Sequence, residues 1–346
     1  MLEGALRIAA PQPLSMPALE PSDGILIPRP NMSGRDYMPG DFDVQVTTNS
    51  MRLRGSREYA LEPGPAARRI LVLGDSFTYG VGAADDDTYP AQLEGILAVD
   101  PGGSWEVLNA GIYGSGPGEQ ILYYERWASR FQPSVVVLTL YENDLRDDRA
   151  RPAFFVESGQ IRPRAVSPGA SRQNAARSLT RRVPGYTYLS QHSHLLSLVR
   201  QRAGSLLRPA PARPAPSRAS AAPSASLKSS YELLDLELAH LAESVRARGG
   251  RLGVVVVAPR FVIHKTRDSS AFEAFVAAAQ TSADRHQIPF RDLSPALLRA
   301  QEEGTRLYFE RDFHCTPAGY GVLAAEVADF LSDEGLLAPA LPRAGK

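Results

Sequence analysis

The sequence predicts an α/β protein, a three-layer α/β/α sandwich around a mainly five-stranded parallel sheet. Two observations carry this expectation. From Arg69 to Leu331, short aliphatic runs alternate with stretches of helical period, the pattern that lays helices on both faces of a parallel sheet. The first run, Ile70-Leu71-Val72-Leu73, is continuously apolar and leads straight into Gly74-Asp75-Ser76-Phe77. A strand buried on both faces reads this way, and a turn at its carboxyl end lifts the next side chains into a cleft.

Residues 1–65 are rich in Pro and Gly and read as an extended N-terminal arm, with short strands near Asp43–Thr47, wrapping the domain that follows. Strands are expected at Arg69–Leu73, Trp105–Asn109, Ser134–Leu140, Leu252–Ala258 and Ile288–Asp292. Between them helices are expected at Tyr89–Leu97, Glu119–Arg130, Tyr231–Arg248 and Ala271–His286, with a last one at Pro317–Leu331. Ser229 with Glu232 and Ser270 with Glu273 have the spacing of capping boxes. Gly249-Gly250 supplies a helix stop, and Thr316 before Pro317 a cap with proline at the first helical position.

The catalytic-type domain so delimited spans 66–148 and 229–335, with a flexible tail at 336–346. It is interrupted by an insertion at 149–228, with a helix around Tyr188–Leu206 and scattered aromatics such as Phe154 and Phe155. Within it, 208–226 is nearly all Pro, Ala, Ser and Arg and reads as a disordered linker. Because the insertion leaves the domain on the side where the strands end, it is a lid or a partner surface by position.

Lys+Arg and Asp+Glu are equal at 38 each, so no global field recruits nucleic acid or an anionic membrane. No run approaches about 18 consecutive apolar residues, the length of a membrane span. Met1–Arg7 lacks the basic flank and apolar core of a signal peptide. The expected compartment is therefore cytoplasmic, or exported if the natural start lies upstream. Cys315 is the single cysteine, which leaves no intrachain disulfide and no thiolate cluster. Although it adjoins His314, neighbours in an extended loop point to opposite sides, so Cys315 reads as a packing residue. Nothing in the sequence calls for a metal or other cofactor.

A serine at a strand's carboxyl end needs a base, an orienting carboxylate and oxyanion donors to act as a nucleophile. Candidates for all three exist: Asp312-Phe313-His314, Asn109-Ala110-Gly111-Ile112-Tyr113-Gly114, and Tyr141-Glu142-Asn143-Asp144. No Gly-x-Ser-x-Gly elbow occurs, and the glycines from Gly74 to Gly82 lack a dinucleotide or phosphate-loop pattern. Among the six histidines, His264 rivals His314 because it lies just past a strand's carboxyl end, whereas His192, His194, His240 and His286 are poorly placed. Asp75, Glu142 and Asp144 read as turn-stabilising groups rather than as a glycosidase acid pair.

These four blocks resemble the SGNH (GDSL-type) hydrolase/esterase family over roughly residues 66–333. The resemblance matches Ser76, Gly114, Asn143 and His314 to the residues that give the family its name. It implies a flavodoxin-like fold and a serine esterase of small acyl esters, acetyl or short-chain, on carbohydrate or another alcohol. Ser76 would attack, His314 act as base, and Asp312 orient the imidazole. The Ser76 and Gly114 N–H groups and the Asn143 amide would form the oxyanion hole, with Gly116 a rival to Gly114. This chain departs from the family at Asp312-x-His314, where an Asp-x-x-His is usual and Arg311 takes the aspartate position, and at Glu142, where a glycine is common. An O-acyltransferase acting on a glycan, a non-catalytic glycan-binding protein of the same fold, and a scaffold built on the insertion are the alternatives.

Overall fold

The computed structural model describes residues 2–14, 18–65, 67–99, 104–164, 184–207 and 225–338. The chain opens with a helix, Leu2–Ala9, and two hairpins, β1 (Leu19–Ser22) with β2 (Ile25–Pro28) and β3 (Met32–Met38) with β4 (Phe42–Thr48). The arm is therefore more ordered than an extended segment. Alternation in β3 and β4 places Met32 and Val46 on one face, where they pack with Tyr79 and Val81 of the main domain.

The main sheet is β5 (Ala67–Gly74), β6 (Ser104–Gly111), β7 (Val135–Tyr141), β10 (Arg251–Val257) and β11 (Phe290–Asp292), between which the hairpin β8 (Phe154–Glu157) and β9 (Gln160–Pro163) intervenes in sequence. All neighbours run parallel in the order β11-β10-β7-β5-β6. Ile70–Leu73, Val135–Leu138 and Val254–Val257 are completely buried, and each such aliphatic side chain contributes roughly 1.5–3 kcal/mol. One set of helices, Tyr89–Leu97, Ser294–Glu302 and Pro317–Asp333, packs together, and another, Pro117–Arg126, Ala225–Ala247 and Ser270–Arg285, does likewise. The chain leaves β5 to one side for β6, then crosses back to β7 on the other. That reversal opens a crevice at the carboxyl ends of β5 and β7.

Three local expectations are corrected. Ser229 and Glu232 lie inside the helix Ala225–Ala247 rather than at its cap, because Leu227 and Tyr231 already pack on the core. The helix Ser270–Arg285 has Ser269 rather than Ser270 at its N-cap position, where Ser269 Oγ donates to Glu273 Oε1 at 2.5 Å without capping a backbone N–H, and Asp268 accepts from Ser270 N at 3.1 Å. The insertion helix is two helices, Tyr186–His192 and His194–Leu207, broken at Ser193. Glu3 supplies the second one's cap, accepting from His194 N (3.0 Å), Leu195 N (2.9 Å) and Ser193 Oγ (3.0 Å). Its carboxyl falls to about 2, chiefly through the Leu195 amide.

Of the linker expected at 208–226, residues 208–224 lie outside those described, and Ala225 and Ser226 begin a helix. Of the tail, 339–346 lie outside them as well. No described helix is long and apolar enough to cross a membrane.

Candidate active site

Ser76 opens the short helix Ser76–Tyr79 directly after β5, and Asp75 caps it by accepting from Phe77 N at 2.9 Å. The turn is tight enough to require glycine at 74, since a Cβ there would stand 2.2 Å from Thr78 Oγ1. Ser76 is thus held at the carboxyl end of a central strand, its side chain at the floor of a cleft of about 530 Å³.

His314 reaches the same point from the far side of the fold. Phe309 N donates to His314 O (2.9 Å) and Thr316 N to Leu307 O (2.9 Å), so residues 307–316 form a pinned loop. Thr316 ends the loop by accepting from Gly319 N at 3.1 Å, the expected cap. The imidazole packs beside Phe77, ring centroids 5.0 Å apart, and its Nε2 lies 2.8 Å from Ser76 Oγ. Its Nδ1 contacts Asp312 Oδ1. An ionised carboxylate only accepts, so Nδ1 carries the proton and Nε2 is left to accept from the serine hydroxyl.

The two-residue spacing works because Phe313 adopts φ +78°. This left-handed turn folds the Asp312 carboxylate back under the ring and leaves the Phe313 side chain exposed. A bulky residue there costs about 1–2 kcal/mol, a local strain that persists only when the surroundings over-determine it.

Gly114 (φ +65°) and Asn143 line the cleft with Ser76 and His314. The Gly114 carbonyl is turned away and accepts from Arg151 Nη2, while Arg151 also pairs with Glu119 at 2.9 Å. Asn143 precedes the helix Asp144–Ala150 and donates one amide N–H to Asp147 Oδ2 at 3.0 Å. Gly116, the rival, does not line the cleft: a Cβ there would meet Asp148 Oδ1 at 2.3 Å, so this glycine answers to packing.

The other five histidines are engaged elsewhere. His240 pairs with Glu125 (2.8 Å) and His286 with Asp235 (3.1 Å). His194 Nδ1 accepts from Gln12 N (2.8 Å), and His192 stacks near Tyr188. His264, the rival base, sits outside the cleft with its edge toward Tyr308. Cys315 is fully buried and its thiol is pushed far up by burial, so it packs and does not react. Among the described residues no group of His, Cys, Asp and Glu could hold a metal ion.

Asp75 is pushed up to about 6 by burial, and Asp144, which accepts from Tyr141 N at 2.9 Å, is raised by burial and by Asp75. Behind the Gly114–Gly118 loop lies a carboxyl pair. Asp148 Oδ1 accepts from Gly118 N at 3.2 Å, and burial pushes Asp148 up to about 7. Glu237, fully buried beside it, is raised by burial and then by the Asp148 charge.

Several cleft residues carry no motif. Tyr113 and Phe313 stand half-exposed at the rim, and Phe261, Arg146, Arg260 and Arg267 complete the walls. Asp36 of β3, in the arm, lies near Asp312 without lining the cleft, and burial and the Asp312 charge push it up to about 6. Proximity to the four blocks along the chain marks Tyr113 and Arg146; no sequence signal marks Asp36. No described residue of the insertion 149–228 lines the cleft. Its helices pack on the arm, with Arg35 N donating to Gln191 Oε1 at 3.0 Å, while its hairpin packs on the main domain, where Phe154 joins the core.

A family model described as the GDSL-like Lipase/Acylhydrolase family matches residues 72–322. No curated protein matches the sequence. Among solved structures, a lipase/acylhydrolase from Enterococcus faecalis is 13% identical, with 77% of this chain and 96% of that one aligned and a TM-score of 0.42. An acetyl xylan esterase from Geobacillus stearothermophilus is 14% identical over 79% and 97%, with a TM-score of 0.43. An alpha/beta hydrolase enzyme from the metagenome of Lake Arreo, Spain, is 17% identical over 79% and 98%, with a TM-score of 0.42.

Proposed function

The chain belongs to the GDSL-like lipase/acylhydrolase family, and from that premise we infer that it is a serine esterase of small acyl esters working through an acyl-enzyme on Ser76. The observation that carries this reading is the 2.8 Å approach of His314 Nε2 to Ser76 Oγ, with Asp312 on the opposite ring nitrogen. A serine hydroxyl attacks an ester only when a neighbouring base takes its proton.

His314 Nε2 accepts the Ser76 proton as Oγ bonds to the ester carbonyl carbon. The carbonyl oxygen becomes an oxyanion, held by the N–H groups of Ser76 and Gly114 and the free N–H of the Asn143 amide. Donors of this kind are worth about 3–4 kcal/mol each. Asp312 stabilises the imidazolium without itself taking the proton. Collapse of the tetrahedral adduct breaks the bond to the alcohol oxygen, which leaves with the proton from Nε2. Water then attacks the acyl-enzyme by the same route and releases the acid.

The cleft favours a short acyl group on a polar alcohol such as a sugar. Its rim presents the half-exposed rings of Tyr113 and Phe313, against which a sugar face can lie, beside the guanidinium groups of Arg146 and Arg267.

The test is hydrolysis of p-nitrophenyl acetate, its longer acyl homologues and an acetylated sugar by wild type, Ser76→Ala and His314→Ala. The expected result is turnover by wild type, highest for acetyl, and its loss in both variants. Activity surviving in Ser76→Ala refutes the mechanism. Release of acid that is replaced by acyl transfer when a glycan acceptor is added would mark an O-acyltransferase instead.

A further inference from the structure

The loop that carries Asp312 and His314 is gripped by a carboxylate from the N-terminal arm. Asp41 lies in the three-residue turn Pro39–Asp41 that joins β3 to β4, closed by Asp41 N donating to Met38 O at 3.1 Å. Its two oxygens accept from three successive amides: Oδ1 from Glu310 N (3.2 Å), and Oδ2 from Arg311 N (2.8 Å) and Asp312 N (2.8 Å). Successive N–H groups converging on one anion make a nest, and such charge-assisted bonds are about twice as strong as neutral ones.

The grip is reciprocal. Arg311 Nη1 donates to Pro39 O at 2.8 Å, and its guanidinium lies flat against Gly40. Beside this, Phe42 packs on Phe309 with ring centroids 5.0 Å apart. Arg311 is the residue found where the usual motif carries its aspartate, and here it is turned outward to the hairpin.

Of the three amides, the one of Asp312 matters most. It belongs to the residue whose carboxylate meets His314 Nδ1, and it immediately precedes the strained Phe313 at φ +78°. Without an external hold, relief of that strain would swing Asp312 away from the ring. We infer that Asp41 is a positioning residue of the hydrolytic reaction, holding the Asp312 backbone so that a two-residue spacing can orient His314, with Arg311 as the opposing half of the clamp. This inference rests on the reading of Ser76, His314 and Asp312 as the catalytic groups.

The experiment compares full-length wild type, Asp41→Ala, Asp41→Asn, Arg311→Ala and Asp312→Ala on p-nitrophenyl acetate, with circular dichroism and melting temperature for each. Misplacing a catalytic group by about 1 Å costs on the order of 100-fold. Asp41→Ala should therefore lose about 10- to 100-fold in kcat with KM within about twofold. Asp41→Asn keeps an acceptor for the two short bonds and should recover to within about fivefold of wild type. If Asp41→Ala does not fold, Arg311→Ala decides, with the same loss in kcat expected. Wild-type kcat in a folded Asp41→Ala or Arg311→Ala, or a loss confined to KM, overturns the inference. Asp312→Ala separates the two levels: if it retains full activity, the catalytic reading itself fails, whatever the Asp41 variants do.

Discussion

Replacing Asp148 with asparagine removes an ionisable group from a site buried against a second carboxyl, Glu237. Glu237 and Asp148 lie against each other behind the Gly114–Gly118 loop, almost fully buried, and share a side-chain hydrogen bond. Asp148 moves from 3.8 in the unfolded chain to about 7 in the fold. At about 1.4 kcal/mol per unit, that amounts to roughly 4 kcal/mol at most. A carboxyl whose folded pKa is raised binds its proton more tightly when folded. Its contribution is therefore intact below about pH 4 and is lost as pH climbs through about 7. Asparagine mimics the protonated acid in size and keeps an Oδ1 to accept from Gly118 N, so Asp148→Asn escapes this loss.

At roughly 2 °C per kcal/mol for a chain this long, the melting temperature of Asp148→Asn should match wild type near pH 4. It should exceed wild type by about 3–8 °C at pH 8. The assay is thermal unfolding by circular dichroism across pH 4 to 9 for wild type, Asp148→Asn and Glu237→Gln, the last expected to shift in the same direction. A difference that stays constant with pH, or that favours wild type as pH rises, would refute the reasoning.

Asn143→Ala removes the proposed neutral oxyanion donor and should cut kcat on p-nitrophenyl acetate by about 100- to 1,000-fold with a smaller change in KM. Gly114 and Gly116 should respond to a methyl group to different degrees. Gly114→Ala, with open space around its Cβ but φ +65°, should cost only about 1–2 kcal/mol. Gly116→Ala would press a Cβ to 2.3 Å from Asp148 Oδ1 and 2.8 Å from Asp148 N, so its melting temperature should fall further.

What could be read from the residues alone was what local pattern determines. The aliphatic runs marked the central strands to within two residues, and Pro289, which has no N–H to donate, explains why β11 starts only at Phe290. Ser76, Asn143 and His314 were legible because each follows a strand or precedes a capped helix. Phe313 in a left-handed conformation was not, since nothing in Asp-Phe-His announces it. Nor was the path of the insertion, or the clamp of Asp41 on Glu310–Asp312, because a pairing between distant segments leaves no periodicity in either one. The walls made by Arg260 and Phe261, on the short helix Arg260–Ile263, and by Arg267 after it belong to a connection whose course is set by its neighbours.

The origin of the active site in both ends of the chain also governs when it can exist. Ser76 and His314 are 238 positions apart, and Asp41 and Arg311 are 270 apart. At about 5–20 residues per second, a ribosome that has made Ser76 needs roughly 12–50 s more to deliver His314. Throughout that interval the hairpin turn at Asp41 and the Ser76 cradle wait without their partner loop, and on the proposed mechanism the nascent chain is hydrolytically silent. Ester turnover therefore reports completion of the fold, and a truncated or stalled product that has already acquired helix content will register in circular dichroism but not in the assay.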